Sequence, residues 1–435
     1  MRTKRRTGVI FALVASMALA ASGCSSADDD GSSSSGELYK NPVTLNWWHN
    51  ANQAGPLQTY WQKVADDFHK LHPTVTIKIT AIETNELQRN RIPAALLSSS
   101  PPEVLQAWGG GEMVEQVKSD YLKDITADTK TEVDSIGPAT KIWSVNGKQY
   151  GLPFSFGIEG FWYNKDLFAK AGITAPPTSL DELNQAVTKL KAANITPIAV
   201  GAGDKWPAAH WWYNLAVREC AATALAAAST DAKFDDPCFV KAGEDLKTFL
   251  ATTPFQKDFL ATSGQVGATS SAGLLANGKA AMELMGHWNG GTMQTLTPDQ
   301  KEPKFLGWFP FPSVAGASGS QKTMMGGGDG FACTKKAPAE CVEFLKYIVS
   351  LDVQKGFAGT GSGIPTVKGA ESGLADPVMQ TIAQATQSAE GTQLWLDTAF
   401  GAKAGTAMND AIIAIFADKG TPQGVVDALK KATAR

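Results

Sequence analysis

After residue 21 no stretch of this sequence approaches the ~20 consecutive apolar residues that a membrane-spanning helix requires. Histidine is scarce, with five in 435 residues. Only His69 and His72 are close in sequence, and Pro73 follows them without a third ligand nearby. That spacing reads as a solvated helix end, so neither a metal nor a cofactor is expected. Excess positive charge is also missing: the formal net charge is −3, whereas a nucleic-acid partner calls for a basic stripe. No Gly-x-Ser-x-Gly elbow of the hydrolase type occurs. The run Gly326-Gly327-Gly328 lacks the Lys-Ser/Thr that a phosphate loop needs. It reads instead as backbone that approaches a ligand or a hinge closely. No internal repeat is evident.

What is present begins at the N-terminus. Arg2, Lys4, Arg5 and Arg6 precede a weakly polar run from Val9 to Ala21, and Ala21-Ser22-Gly23-Cys24 follows. A short apolar segment between basic residues and small residues is the pattern of a cleaved export signal. The Cys after Ser-Gly resembles the lipobox of bacterial lipoproteins, with Ala21 in place of the usual Leu. The expectation is a signal peptide over residues 1–23 and lipidation of Cys24, an ordinary secretory signal with an incidental Cys being the alternative. Two or more acyl chains anchor stably where one does so only marginally. Residues 24–37 hold Ser, Ala, Asp and Gly almost exclusively and read as a flexible tether. The expected location is the outer face of the cell membrane, with the lipid as the only membrane contact.

The leader carries four basic and no acidic residues, so the remainder is more acidic than the whole chain. At this length the chain divides into at least two folding units. Past Cys24 four cysteines remain, none at metal-ligand spacing: Cys220, Cys238, Cys333 and Cys341. An even count outside the cytoplasm predicts disulfides. Of three possible connectivities, the close pairs Cys220–Cys238 and Cys333–Cys341 are the expectation.

Val43, Leu45 and Trp47 alternate with Thr44, Asn46 and Trp48 as in a strand, and Val75 to Ala81 repeats the pattern. Between them Pro56 opens a helix whose Leu57, Tyr60, Trp61, Val64, Phe68 and Leu71 share a face. Leu87–Leu97 is a second helical stretch and Val104–Trp108 a third strand. This order implies a parallel sheet with ligands at the strands' carboxyl ends. Those ends are His49-Asn50-Ala51-Asn52, Glu83-Thr84-Asn85 and Trp108-Gly109-Gly110-Gly111. Asn146-Gly147 marks a tight hairpin, and Ile158–Tyr163, Pro197–Val200, Ala280–Met285 and Phe305–Phe311 read as strands. Thr178 is the expected cap of the following helix, with Ser179/Glu182 as the competing register. Asp204-Lys205-Trp206-Pro207 reads as a polar loop, and residues 339–351 as a helix.

The segment Trp162-Tyr163-Asn164-Lys165-Asp166-Leu167-Phe168-Ala169-Lys170-Ala171-Gly172-Ile173, followed by Pro177-Thr178 and Leu180-Asp181-Glu182-Leu183, resembles the extracellular solute-binding proteins of family 1. These are carbohydrate receptors of ABC importers, related to maltose-binding protein. Gly278-Lys279-Ala280-Ala281-Met282 with Gly286-His287-Trp288, and Gly327-Gly328-Asp329-Gly330-Phe331-Ala332, are similar to further marks of that family. Trp47-Trp48-His49-Asn50-Ala51-Asn52 and the cysteine pairs resemble an actinobacterial subgroup that includes xylobiose- and other disaccharide-binding lipoproteins. The resemblance implies an α/β, two-lobe periplasmic-binding-protein type II fold with a cleft between lobes and hinge crossings. It places lobe one at 40–153 and 313–350, and lobe two at 154–308 and 351–435. It implies a monomer that closes on an oligosaccharide and delivers it to two permease subunits driven by a cytoplasmic ATPase.

A sugar ring has apolar faces and a belt of hydroxyls, so it needs aromatic platforms and paired donors and acceptors. Trp206, Trp288, Trp395 and Trp108 are the expected platforms. Trp211 and Trp212 are neighbours of which one should face the core, while Trp47, Trp61, Trp143 and Trp162 are assigned to core and Trp308 to core or hinge. His49, Asn50, Glu83, Asn85, Glu159, Lys205, Asp329 and Asp397 are the candidate hydroxyl partners, with Gly328 as close-approach backbone. Xylobiose or short xylo-oligosaccharides lead as ligand, ahead of cello-, malto- and chito-oligosaccharides. A secreted glycoside hydrolase is the distant rival, because paired carboxylates beside Trp also build glycosidases. A peptide receptor would be expected to offer an Arg to a carboxylate.

Overall fold

The computed structural model describes residues 38–434; the expected signal, Cys24 and most of the tether lie outside them. Three parallel strands open the fold: β1 (Val43–His49), β2 (Val75–Ala81) and β3 (Val104–Ala107), in the order β2-β1-β3. The helix Pro56–Leu71 joins β1 to β2 and buries Trp61, Val64, Ala65 and Phe68. Leu71, its last residue, is 62% exposed, so the expected apolar face stops one turn earlier. Glu86–Arg91 forms a π-helical turn that leads into the helix Ile92–Leu96, shorter than the single stretch expected.

Asn146 and Gly147, both with positive φ, turn the small hairpin of β4 (Ser144–Val145) and β5 (Lys148–Gln149). The long strand β6 (Gly151–Asn164) follows, then β7 (Ile198–Ala199), β8 (Met282–Gly286), β9 (Leu306–Pro310), β10 (Thr323–Cys333) and β11 (Gly391–Leu394). Residues 151–158 of β6 pair with β10, and residues 159–164 pair with β8 and β9. At its other edge β10 pairs with β3 and with β11. The strands thus form one hydrogen-bonded path, β2-β1-β3-β10-β6-β8-β7, continuous through β6 and β10.

Cores lie on both sides of that junction. Trp47, Trp61, Phe154, Phe331, Phe344 and Phe357 pack together beside β1 and β10, with Trp61 stacked on Phe357 at 5.7 Å. Val353, Val367 and Ala370 belong to the same cluster. Beyond the junction Phe161, Phe309, Trp211 and Phe249 form a second core, and Trp162, Met285 and Ile382 a third. Both Trp211 and Trp212 are buried there, so neither is available to a ligand. Trp143, fully buried, donates its indole N–H to the Ala107 carbonyl at 3.3 Å. Trp308, 8% exposed, packs in the third core.

Local signals were resolved by side-chain chemistry. Ser179, not Thr178, caps the helix Leu180–Ala192: its hydroxyl accepts from Glu182 N–H, while Glu182 reaches back to Thr178 N–H at 2.7 Å. Trp206 and Pro207 do not sit in a loop. They open the helix Trp206–Glu219 directly after Lys205, whose φ of 67° breaks the preceding turn.

Disulfides join Cys220 to Cys238 and Cys333 to Cys341, with Cα–Cα distances of 5.1 and 6.1 Å. The first closes an 18-residue separation between the end of one helix and the start of the helix Cys238–Leu250. Chain entropy gives such a loop about 3 kcal/mol. Replacing both cysteines, as Cys220→Ala with Cys238→Ala, is expected to lower unfolding free energy in urea by roughly that amount. An unchanged midpoint and slope would remove the disulfide from the account of stability.

Candidate ligand-binding site

The parallel strands deliver their carboxyl ends to a cavity of about 170 Å³. One wall comes from the loop after β1, with Asn50, Asn52 and Gln53, and from Glu83, Thr84, Gln88 and Trp108. The opposite wall carries Trp206, His210, Gln265, Trp288, Thr292 and Thr295, and Asp329, Trp395 and Asp397 close the remainder.

Aromatic rings dominate the far wall. Trp288 lies 6.2 Å from Trp206 and 5.3 Å from Trp395, both inclined, and His210 lies nearly parallel to Trp395 at 6.2 Å. Glycine makes this packing possible. A Cβ on Gly286 would stand 2.2 Å from the Trp288 ring, and one on Gly327 would stand 2.4 Å from the Trp395 ring. The Trp395 Nε1–H is buried without a protein acceptor, as is the Nε2 amide of Gln265. An unsatisfied buried donor costs about 1–3 kcal/mol, which an oxygen-rich ligand relieves.

Polar groups on the cavity are fixed from behind. Gln106, itself buried, accepts from the Asn50 N–H at 2.8 Å and donates to Asp329 at 2.7 Å. A register shift between Asp329 and Gly330 bends β10 at this point. Burial pushes the Asp329 carboxyl up to about 6, against the hydrogen bonds of Gln106 and Trp108. Asp397 accepts from Arg89 at 3.0 Å and from Asn409 at 3.3 Å. Arg89 also pairs with Glu112, which Gln88 contacts at 3.0 Å. Burial works against the guanidinium charge, but Glu112 and Asp397 outweigh it and hold Arg89 above its ordinary value. Glu112, buried, is raised by desolvation, with Asp397 adding to it and Arg89 and Gln88 opposing it. Glu83 caps the next turn through the Glu86 N–H at 3.0 Å. Gln53 reaches across the cavity: its amide donates to the Gln265 carbonyl at 2.8 Å and its oxygen accepts from the Thr295 hydroxyl at 3.0 Å.

Of the residues singled out from sequence, Asn50, Glu83, Trp108, Trp206, Trp288, Asp329, Trp395 and Asp397 therefore line one cavity. The others stand elsewhere. His49 is 1% exposed, accepts from the Ala51 N–H at 3.2 Å and packs its ring on Trp47; strand alternation turns it away while Asn50 faces in. Burial lowers its imidazole to about 3. Asn85 sits at the start of the π-helical turn, off the cavity wall. Glu159 is buried behind His210, paired with that imidazole and with the Asn214 amide. Lys205 points outward to Asp410. Gly328 offers no surface to the cavity, because a Cβ there would meet the Ser155 carbonyl at 1.9 Å. Sequence reading missed His210, Gln53, Gln265 and Thr295. The amphipathic signal around His210 is masked, since every residue from Pro207 to Glu219 is buried.

Residues 52–355 match the bacterial extracellular solute-binding protein family. A diacetylchitobiose-binding protein of Streptomyces coelicolor is 25% identical over 370 residues, which are 83% of this chain and 82% of that protein. Among solved structures, a chitin oligosaccharide binding protein superposes with a TM-score of 0.81 at 24% identity, covering 90% of this chain and 98% of that one. A structure from work on xylan utilization by Caldanaerobius polysaccharolyticus also reaches 0.81, at 23% identity and over 90% and 100% of the two chains. The fold is that of the two-lobe type II periplasmic binding proteins, and the chain belongs to the bacterial extracellular solute-binding protein family.

Proposed function

We propose that this protein is the carbohydrate receptor of an ABC importer, taking a short oligosaccharide into the cavity and presenting it to the permease in a closed form. The observation that carries the reading is the inclined cluster of Trp206, Trp288 and Trp395 facing Asn50, Glu83 and Asp329 across one cavity. Indole faces take the apolar sides of sugar rings, at on the order of 1 kcal/mol per face. Amides and carboxylates take the hydroxyl belt. Xylobiose or a short xylo-oligosaccharide is the ligand we place first. A chito-oligosaccharide is the second reading, favoured by the relatives named for diacetylchitobiose and chitin oligosaccharides, with cello- and malto-oligosaccharides behind.

The role is binding rather than glycoside hydrolysis. Asp397 is committed to Arg89 and Asn409, and Asp329 to Gln106, which suits carboxylates that hold hydroxyls rather than ones that exchange protons with a glycosidic oxygen. Family membership supports the same reading.

The lobe division proposed from sequence places crossings near residues 153, 308–312 and 350. Packing favours moving the last one: Val353, Phe357, Val367 and Ala370 join the Trp47–Trp61 core, so the first lobe is proposed to run to about Ala370. Sugar contacts from both walls exist together only when the lobes are shut, so the ligand stabilises the shut form by its differential affinity. The receptor is proposed to act as a monomer, held at the outer membrane face by a lipidated Cys24. No helix among the described residues is long and apolar enough to cross a membrane.

Isothermal titration against xylobiose, cellobiose, maltose and N,N′-diacetylchitobiose is expected to give binding with at least one, and chromatography afterwards only intact sugar. Silence across the panel, or a hydrolysis product, overturns the proposal. Trp206→Ala should weaken the bound sugar about five- to tenfold, whereas equal affinity would remove that ring from the site. Gln53→Ala is predicted to speed sugar release on the order of tenfold in stopped-flow fluorescence, by loss of two cross-cavity hydrogen bonds; an unaltered off-rate means they do not latch the closed form. Cys24→Ser should move the protein from the membrane fraction into the medium, and retention on cells would argue against the anchor.

A further inference from the structure

Every formally charged side chain on the cavity wall, among the described residues, is an acid: Glu83, Asp329 and Asp397. The nearby cations are already engaged. Arg89 serves Asp397 at 3.0 Å and Glu112 as well, so one guanidinium faces two carboxylates. Lys205, next to Trp206 in sequence, lies at the surface with Asp410. His210 reaches the cavity but is backed by the buried carboxylate of Glu159, which offsets any charge the imidazole carries.

We infer that the cavity discriminates by charge: it accepts neutral or amino-bearing oligosaccharides and rejects sugars that carry a carboxylate, sulfate or phosphate. The inference rests on the sugar-receptor reading and names the class of ligand within it. An anionic group brought between the walls exchanges water for Glu83 and Asp329, with no free cation to receive it. Like charges placed together out of water cost several kcal/mol, and salt screens buried groups only weakly. An ammonium group meets the reverse situation, since Glu83 and Asp329 line the wall as carboxylates and carboxylates accept charge-assisted hydrogen bonds. Neutral hydroxyls donate to those oxygens at no such cost. The same wall therefore supplies both grip and exclusion.

The test compares sugars that share a skeleton and differ in charge. Cellobiose is titrated beside cellobiouronic acid, maltose beside maltobiouronic acid, xylobiose beside glucuronosyl-xylose, and N,N′-diacetylchitobiose beside its deacetylated, cationic form. On whichever skeleton the neutral sugar binds, the uronate should bind at least about 30-fold more weakly, and the deacetylated chitobiose no more weakly than its neutral parent. A Glu83→Gln, Asp329→Asn double variant, checked for folding by its melting temperature, should bring the uronate to within about fivefold of the neutral sugar. A uronate that matches or surpasses its neutral partner on the unaltered protein overturns charge selection and leaves the receptor reading standing. If none of the eight sugars binds, the receptor reading itself falls and takes this one with it.

Discussion

The close pairing of β6 with β10 is the constraint on which the rest of this structure depends. Residues 326–328 of β10 are glycines because no Cβ fits there: Gly326 and Gly328 press on the backbone of Gly157 and Ser155, and Gly327 lies under the Trp395 ring. The pairing carries the chain from one core to the other without breaking the sheet path. It also brings Asp329, at the register shift, to the cavity beside an indole from near the C-terminus. His287 is enclosed at the same junction, its Nε2 2.9 Å from the Ser155 hydroxyl, and burial lowers its imidazole to about 3. A neutral ring there packs against Gly157 and sets the direction of Trp288, which follows it.

Around that junction the protein arranges polar groups so that few of them are free to turn. Asn50, Gln106 and Asp329 form one relay of hydrogen bonds, and Arg89, Glu112, Asp397 and Asn409 form another. Tyr213 extends the second by donating its hydroxyl to Asn409, and burial raises that hydroxyl well above its ordinary value. Partners fixed in advance lose little entropy when a ligand arrives, so more of the contact energy appears as affinity. The aromatic wall follows the same rule, because packed rings have no rotamers left to lose.

Much of the fold was legible in the sequence because strand alternation and helix spacing survive in β1, β2 and Pro56–Leu71. The strand-end loops were legible for the same reason: polar and aromatic residues stand where a plain turn needs none. Side-chain direction at a strand's last residue was not legible, which is why His49 stood beside Asn50 among the candidates although only Asn50 lines the cavity. Glu159 and His210 are 51 positions apart and meet only after folding, so a conspicuous carboxylate concealed the imidazole in front of it. Arg89 and Asp397 are separated by 308 positions and meet only after folding. Lys205 shows the opposite failure, a polar residue beside a cavity Trp that the helix start turns to solvent.

The central claim is that two bodies joined at β6 and β10 shut on a ring-shaped sugar. Small-angle X-ray scattering, recorded without ligand and at saturation with the sugar that binds most tightly, tests it most directly. The account predicts a smaller radius of gyration in the bound state, with the free protein fitted by a more open arrangement of the same two bodies. Superimposable curves despite calorimetric saturation would contradict it, and would leave a rigid pocket in place of a closing cleft.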